Sequence, residues 1–89
     1  MKKLGRRNYY AKGSKKFEAW YNAMTNDKMY EIEVRRHKNF DWWDETDLVF
    51  DFNGKTYSEC GIDNFNGHFS GYTDRAALYG VYLREVVEA

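Results

Sequence analysis

The stretch Asp47-Leu-Val-Phe-Asp-Phe-Asn-Gly-Lys-Thr-Tyr-Ser-Glu-Cys60 carries the strongest local structural signal in the chain. Asn53-Gly54 suits a two-residue type I′ turn, because both central positions of that turn need a positive φ and these residues adopt it most readily. The flanking residues then pair as a hairpin, with Phe50 opposite Tyr57. One face of the hairpin is apolar and the other mostly polar, which is typical of an antiparallel sheet covered on one side.

Segments before and after this hairpin predict helices and one more strand. Ser14 is a good N-cap for a helix over about 15–25, which carries an apolar stripe, and residues 29–38 alternate as a strand. Thr73-Asp74 caps a C-terminal helix, on which apolar residues share one arc of the helical wheel. The expected fold is therefore α+β: an N-terminal helix, a three-stranded antiparallel meander with the Asn-Gly hairpin, and a C-terminal helix packed on one face (α-β-β-β-α).

The 89 residues are enough for one domain. Residues 1–13 are basic and punctuated by glycine, so we expect an N-terminal arm there and a single domain over 14–89. No window is long and apolar enough for a membrane span, the basic start lacks the apolar core of a secretory signal, and Cys60 is the only cysteine. We expect a cytoplasmic protein without membrane contact.

Aromatic residues make up 19% of the chain, more than the core of so small a domain needs. Some rings are therefore expected on the surface, where they give contact area at low entropic cost. Charge is uneven, although the net charge is zero: residues 1–40 hold eleven Lys/Arg against four Asp/Glu, and residues 41–89 hold three against ten. Either the two halves pair with each other or they face partners of opposite charge.

Two adjacent tryptophans lie in the segment 39–46, which we expect to be a loop. Both cannot point inward, so at least one indole is predicted to be exposed among the surrounding carboxylates. Such an acidic, aromatic patch is a candidate hot spot for a basic partner. With the glycine- and aromatic-rich segment 61–72, the candidate partner-binding residues are Phe40, Asp41, Trp42, Trp43, Asp44, Glu45, Asp47, Asp51, Phe65, Phe69 and Tyr72.

The first functional hypothesis is a non-catalytic module that covers a basic, nucleic-acid-binding surface on a protein partner, such as a nucleic-acid-handling effector. In size and style, though in no motif, the chain resembles the small stoichiometric inhibitors that phages and plasmids make against restriction systems or CRISPR effectors. A second apolar strip on the C-terminal helix, formed by Leu78, Val81 and Tyr82, could support a homodimer.

The alternative hypothesis is a protein that binds single-stranded nucleic acid or RNA with its basic N-terminal half. Cations would neutralise phosphates and rings would stack on unpaired bases. The candidate residues are Arg6, Arg7, Tyr9, Tyr10, Lys12, Lys15, Lys16, Arg35, Arg36 and Lys38.

Catalysis is not expected. His37, His68 and Cys60 are too scattered for a nucleophilic pair or a zinc site. In Asp51-Phe-Asn-Gly and in Asp63-Asn-Phe-Asn-Gly the glycine comes too early for a calcium loop. We therefore expect neither a metal nor a cofactor.

Overall fold

The computed structural model describes residues 2–64 and 75–88. Within them lie five strands and one α-helix: β1 (Lys2–Ala11), α1 (Lys15–Thr25), β2 (Tyr30–Lys38), β3 (Asp41–Phe52), β4 (Lys55–Asn64) and β5 (Leu78–Glu88), with a short 3-10 turn (Arg75–Ala77) before β5. The strands form one mixed sheet that closes on itself in the order β1-β2-β3-β4-β5.

The predicted Asn53–Gly54 hairpin is confirmed. The two turn residues have φ values of 51° and 77°, and β3 pairs with β4 in the expected register, from Phe52 opposite Lys55 to Val49 opposite Ser58. Pairing between β3 and β4 ends there, so Asp47 does not pair with Cys60.

The predicted first helix is also confirmed. The Ser14 hydroxyl accepts a hydrogen bond from the Phe17 backbone N–H at 3.2 Å and begins α1, as an N-cap should. Phe17, Trp20 and Ala23 are buried on the sheet. Their neighbours in the core cluster are Phe50, Tyr57, Leu78, Val81 and Leu83.

The expected α-β-β-β-α fold is wrong, because the structure is mostly β-sheet and its last element is a strand. Residues 78–88 form β5, and residues 2–11, where an arm was expected, form β1. These two strands pair antiparallel, from Lys2 opposite Glu88 to Ala11 opposite Gly80. A parallel bridge between Lys3 and Arg35 joins β1 to β2 and closes the sheet, and α1 supplies the crossover that parallel strands require.

The segment 39–46 is not a loop. Residues 41–46 belong to β3, which pairs with β2 from Lys38 opposite Asp41 to Tyr30 opposite Val49. A second two-residue turn, Asn39–Phe40, with φ values of 54° and 67°, connects these strands.

The sheet is covered on both faces where β3 crosses the core. Val49 and Phe50 are adjacent on the strand, so they point to opposite faces, and both are buried. Phe50 belongs to the core cluster that contains Phe17, Trp20 and Ala23 of α1, and Val49 is buried on the other face. The expected contrast between one apolar and one wet face therefore fails here. Leu48, two residues before Phe50 on the same face of β3, is exposed.

Candidate functional site

A cleft of about 400 Å³ is formed by residues from β1, β2, β3 and β5. It exists only because β1 and β5 close the sheet beside the β2–β3 hairpin. No aspartate or glutamate of the described chain lines it. Its walls are basic and aromatic: Lys3, Leu4, Arg35, Arg36, His37, Lys38, Trp42, Trp43 and Arg84.

The two arginines of the cleft that lie on β2 are neutralised by carboxylates of β3. Arg35 Nε lies 3.2 Å from Asp44 Oδ1, across the strand pair. Arg36 forms ion pairs with both Glu45 and Asp47. Three of the five acids of the proposed acidic patch are therefore bound by the protein's own arginines.

The other two acids of that patch differ from each other. Asp51 accepts hydrogen bonds from Thr56 Oγ1 at 2.7 Å and Tyr30 Oη at 2.8 Å, and these bonds lower the pKa of its carboxyl group. Asp41 is exposed at the end of the β2–β3 hairpin, opposite Lys38. A continuous free acidic surface is thus not formed by the described residues of the patch.

Three cations of the cleft, Lys3, Lys38 and Arg84, form no salt bridge with any carboxylate in residues 2–64 and 75–88. The Nε atom of Arg84 is buried and has no hydrogen-bond partner in that part of the chain. A buried donor without a partner is costly, so the fold holds Arg84 at some expense of stability.

Arg84 also faces another cation across the sheet. Its partner in the β1–β5 register is Arg7, and like charges directly opposite each other destabilise a strand pair. The guanidinium of Arg7 lies 4.0 Å from the centroid of the Tyr82 ring. Burial raises the pKa of the nearby Cys60 thiol, and the charges of Arg84, Arg7 and Arg36 oppose that shift. A thiol with a raised pKa is a poor nucleophile at neutral pH.

Both tryptophans of the cleft are accessible, Trp42 with 62% and Trp43 with 40% of its surface exposed. The Trp42 ring centroid lies 4.3 Å from that of His37, its partner across the strands. Trp43 is held more firmly, because its Nε1–H donates to Glu45 Oε2 at 3.1 Å. Phe40, in the turn beside them, is 95% exposed.

The remaining candidates of the basic set lie away from the cleft. Arg6, Lys12 and Lys15 are exposed elsewhere. Lys16 donates to Tyr10 Oη at 3.3 Å, and Tyr9 Oη donates to Asp63 Oδ2 at 2.7 Å. The structure thus brings Arg35, Arg36 and Lys38 of that set together with the two tryptophans of the other set.

Four residues of the cleft were missed by the sequence analysis: Lys3, Leu4, His37 and Arg84. Nothing local indicates that Lys3 and Arg84 are neighbours, because they meet only through the pairing of the first strand with the last. Phe65, Phe69 and Tyr72 lie outside the described residues. Leu78 and Val81 are buried in the core, and Tyr82 lies under Arg7, so these three do not form the apolar surface expected for a homodimer.

The described residues contain no group of three or more His, Cys, Asp or Glu side chains arranged to hold a metal ion. None of their helices has the length and apolar character that crossing a membrane requires. No protein-family model, curated protein or solved structure matches this chain. The functional argument therefore depends on the geometry of the cleft alone.

Proposed function

We propose that this protein binds single-stranded nucleic acid in the cleft between β1, β2, β3 and β5. The observation that carries the proposal is that one cleft is lined by exposed indoles and by three cations, Lys3, Lys38 and Arg84, that form no salt bridge within the described residues. Trp42 and Trp43 are adjacent on β3 and point to opposite faces of the strand, so they reach the cleft from different sides. Lysine and arginine neutralise phosphates, and indoles stack on bases of any sequence. The cleft offers both groups to one ligand.

A single strand suits this cleft better than a duplex. Its volume of about 400 Å³ is that of a small-ligand site, large enough for part of a flexible strand. The indoles contribute binding energy only when they reach the flat face of a base, and that face is accessible when the base is unpaired and unstacked. Trp42, the more exposed of the two, is the main stacking residue of this proposal.

The charge of the cleft favours nucleic-acid binding over the hypothesis of a module that covers a basic partner. The carboxylates of Asp44, Glu45 and Asp47 are engaged by Arg35 and Arg36. What the cleft presents to a ligand is therefore net positive charge, which attracts phosphates or an acidic protein surface and repels a basic one. Binding to an acidic protein surface is an outcome that the following experiment distinguishes.

The test measures fluorescence anisotropy of labelled oligonucleotides of about ten residues, single-stranded DNA, single-stranded RNA and duplex, at several salt concentrations. The test variant replaces Lys3, Lys38 and Arg84 by glutamine. The control variant replaces Lys12, Lys15 and Lys28, exposed lysines outside the cleft, by glutamine. Both variants change the net charge by the same amount, so only the position of the lost charge differs.

The native protein is expected to bind single strands more tightly than duplex. The test variant should lose most of this affinity, and the slope of log K against log salt should fall by about 0.7 for each lost phosphate contact. The control variant should bind as the native protein does. Equal weakening by both variants, or no binding by the native protein at low salt, would refute the proposal. If labelled polyglutamate binds as tightly as a single strand, the cleft is instead a site for acidic proteins.

A further inference from the structure

The turn between β2 and β3 has an unusual residue at its second central position, whereas the turn between β3 and β4 has the residue expected there. Both are two-residue turns that begin with asparagine and have a positive φ at each central position. The second position is Gly54 in one turn and Phe40 in the other, at φ values of 77° and 67°. A positive φ suits glycine, whereas for a bulky side chain such as phenylalanine it is a strained outlier.

The fold gains nothing visible from this strained phenylalanine. Phe40 is 95% exposed, so its ring packs on almost none of the protein. Glycine or asparagine would make the same turn at lower conformational cost. A strained backbone combined with an exposed aromatic ring points to a partner outside the chain.

Phe40 lies where it could extend the proposed cleft. It is two residues from Trp42, whose indole forms part of the wall, and two residues from Lys38, a cation of the cleft without a salt bridge in the described part of the chain.

We infer that the Asn39–Phe40 turn is a base-stacking finger that makes the site selective for unpaired bases, an inference that rests on the proposed function. The Phe40 ring covers one face of a base whose adjoining phosphates lie in the cleft beside Lys38. A paired base within a duplex has both faces occupied by its neighbours and offers none to the ring. The left-handed backbone at Phe40 holds the ring out of the fold, where a base can reach it.

The test compares Phe40→Gly, Phe40→Trp and Asn39→Gly, using thermal denaturation and anisotropy with single-stranded and duplex oligonucleotides. Phe40→Gly relieves the strained φ and should raise Tm by roughly 5 °C. The same variant should bind single strands about 5- to 150-fold more weakly, the range measured when one stacking ring is removed. Duplex binding should change little, so the preference for single strands falls.

Asn39→Gly alters the same turn but keeps the ring, and it should bind as the native protein does. Phe40→Trp restores an aromatic surface and should keep the affinity. Native-like single-strand binding by Phe40→Gly would overturn the inference while leaving the proposed function standing. A lower Tm for Phe40→Gly would overturn the claim of strain. Failure of the native protein to bind any oligonucleotide would refute both.

Discussion

Arg36 on β2 holds Asp47 on β3 through two hydrogen bonds from Nη2, at 2.7 Å to Oδ2 and 3.0 Å to Oδ1. Only 12% of the Asp47 side chain is exposed, and the buried Ser58 hydroxyl donates to the same carboxylate at 3.1 Å. An acid that the sequence assigns to a binding patch is therefore part of the structural network of the sheet. Within the described residues, Lys3, Lys38 and Arg84 are the cations of the cleft that no carboxylate neutralises in this way.

Replacing Asp47 by asparagine should destabilise the protein far more than the same change at Asp44. Asp47→Asn leaves the half-buried Arg36 without its strongest partner, which we expect to cost about 1–3 kcal/mol of unfolding free energy. Asp44→Asn removes an exposed pair with Arg35 and should cost under about 1 kcal/mol. Urea denaturation of the two variants measures the difference. Equal losses would contradict the structural role of Asp47.

Replacing Trp42 by alanine and replacing Trp43 by alanine should have different effects on stability. Trp42 is the more exposed and has its ring contact with His37, so Trp42→Ala should remain folded, lose under about 1 kcal/mol, and bind single strands about 5- to 150-fold more weakly. Trp43→Ala also loses the hydrogen bond to Glu45 and should lower Tm more. Thermal denaturation and anisotropy on both variants check this. A Trp42→Ala variant that unfolds, or that binds normally, would rule out a stacking role.

Glu59→Gln should stabilise the protein at neutral pH and lose this advantage in acid. Burial raises the pKa of the Glu59 carboxyl, and the nearby Trp20 indole only partly opposes that shift. The folded-state pKa is above the unfolded value of about 4.3, so below that pH the carboxyl is protonated in both states and the free energy of unfolding is at its full value. It declines as pH rises through the folded-state pKa.

The glutamine variant shows no such decline in stability, because its side chain does not ionise. Its advantage in Tm should therefore be visible at pH 7 and vanish below about pH 4. Melting curves of the two proteins over this interval test the expectation. An advantage that is constant with pH would show that Glu59 is not penalised by burial.

Gly80→Ala should disrupt the β1–β5 pair. An added Cβ would lie 2.5 Å from Tyr9 Cζ and 2.8 Å from the Tyr10 carbonyl oxygen, so both a side chain and the backbone must move. We expect a loss of about 1–3 kcal/mol. The displaced Tyr9 should also lose its hydrogen bond to Asp63, which raises its pKa to about 12.

The Tyr9 titration gives this prediction a second measurement. The folded-state pKa is raised, so the contribution of the hydrogen bond to stability is present below about pH 10 and is lost as pH rises towards 12. Nuclear magnetic resonance titration of labelled tyrosines should show the high pKa in the native protein and a lower one in Gly80→Ala. Asp63→Asn should lower the same pKa at a smaller cost in stability. A Gly80→Ala protein with an unchanged Tyr9 titration would refute the predicted clash.

Local signals in the sequence determined the elements that local interactions form. The positive φ of Asn53–Gly54 and the Ser14 cap depend on neighbouring residues, and both are found as predicted. The alternation in residues 29–38 also placed β2 within one residue of its start. The sequence further established the zero net charge and the surplus of aromatic residues.

Only the tertiary structure showed that the two ends of the described chain form the paired strands β1 and β5, and where the cleft lies. Residues 78–88 contain apolar residues on two arcs of a helical wheel, which is how a strand buried on both faces looks when it is projected as a helix. β1 and β5 pair across almost the whole length of the chain, and no local periodicity reports a contact between residues so distant in sequence. That pairing brings Lys3 and Arg84 beside Trp42, so the candidate site is a product of sheet closure.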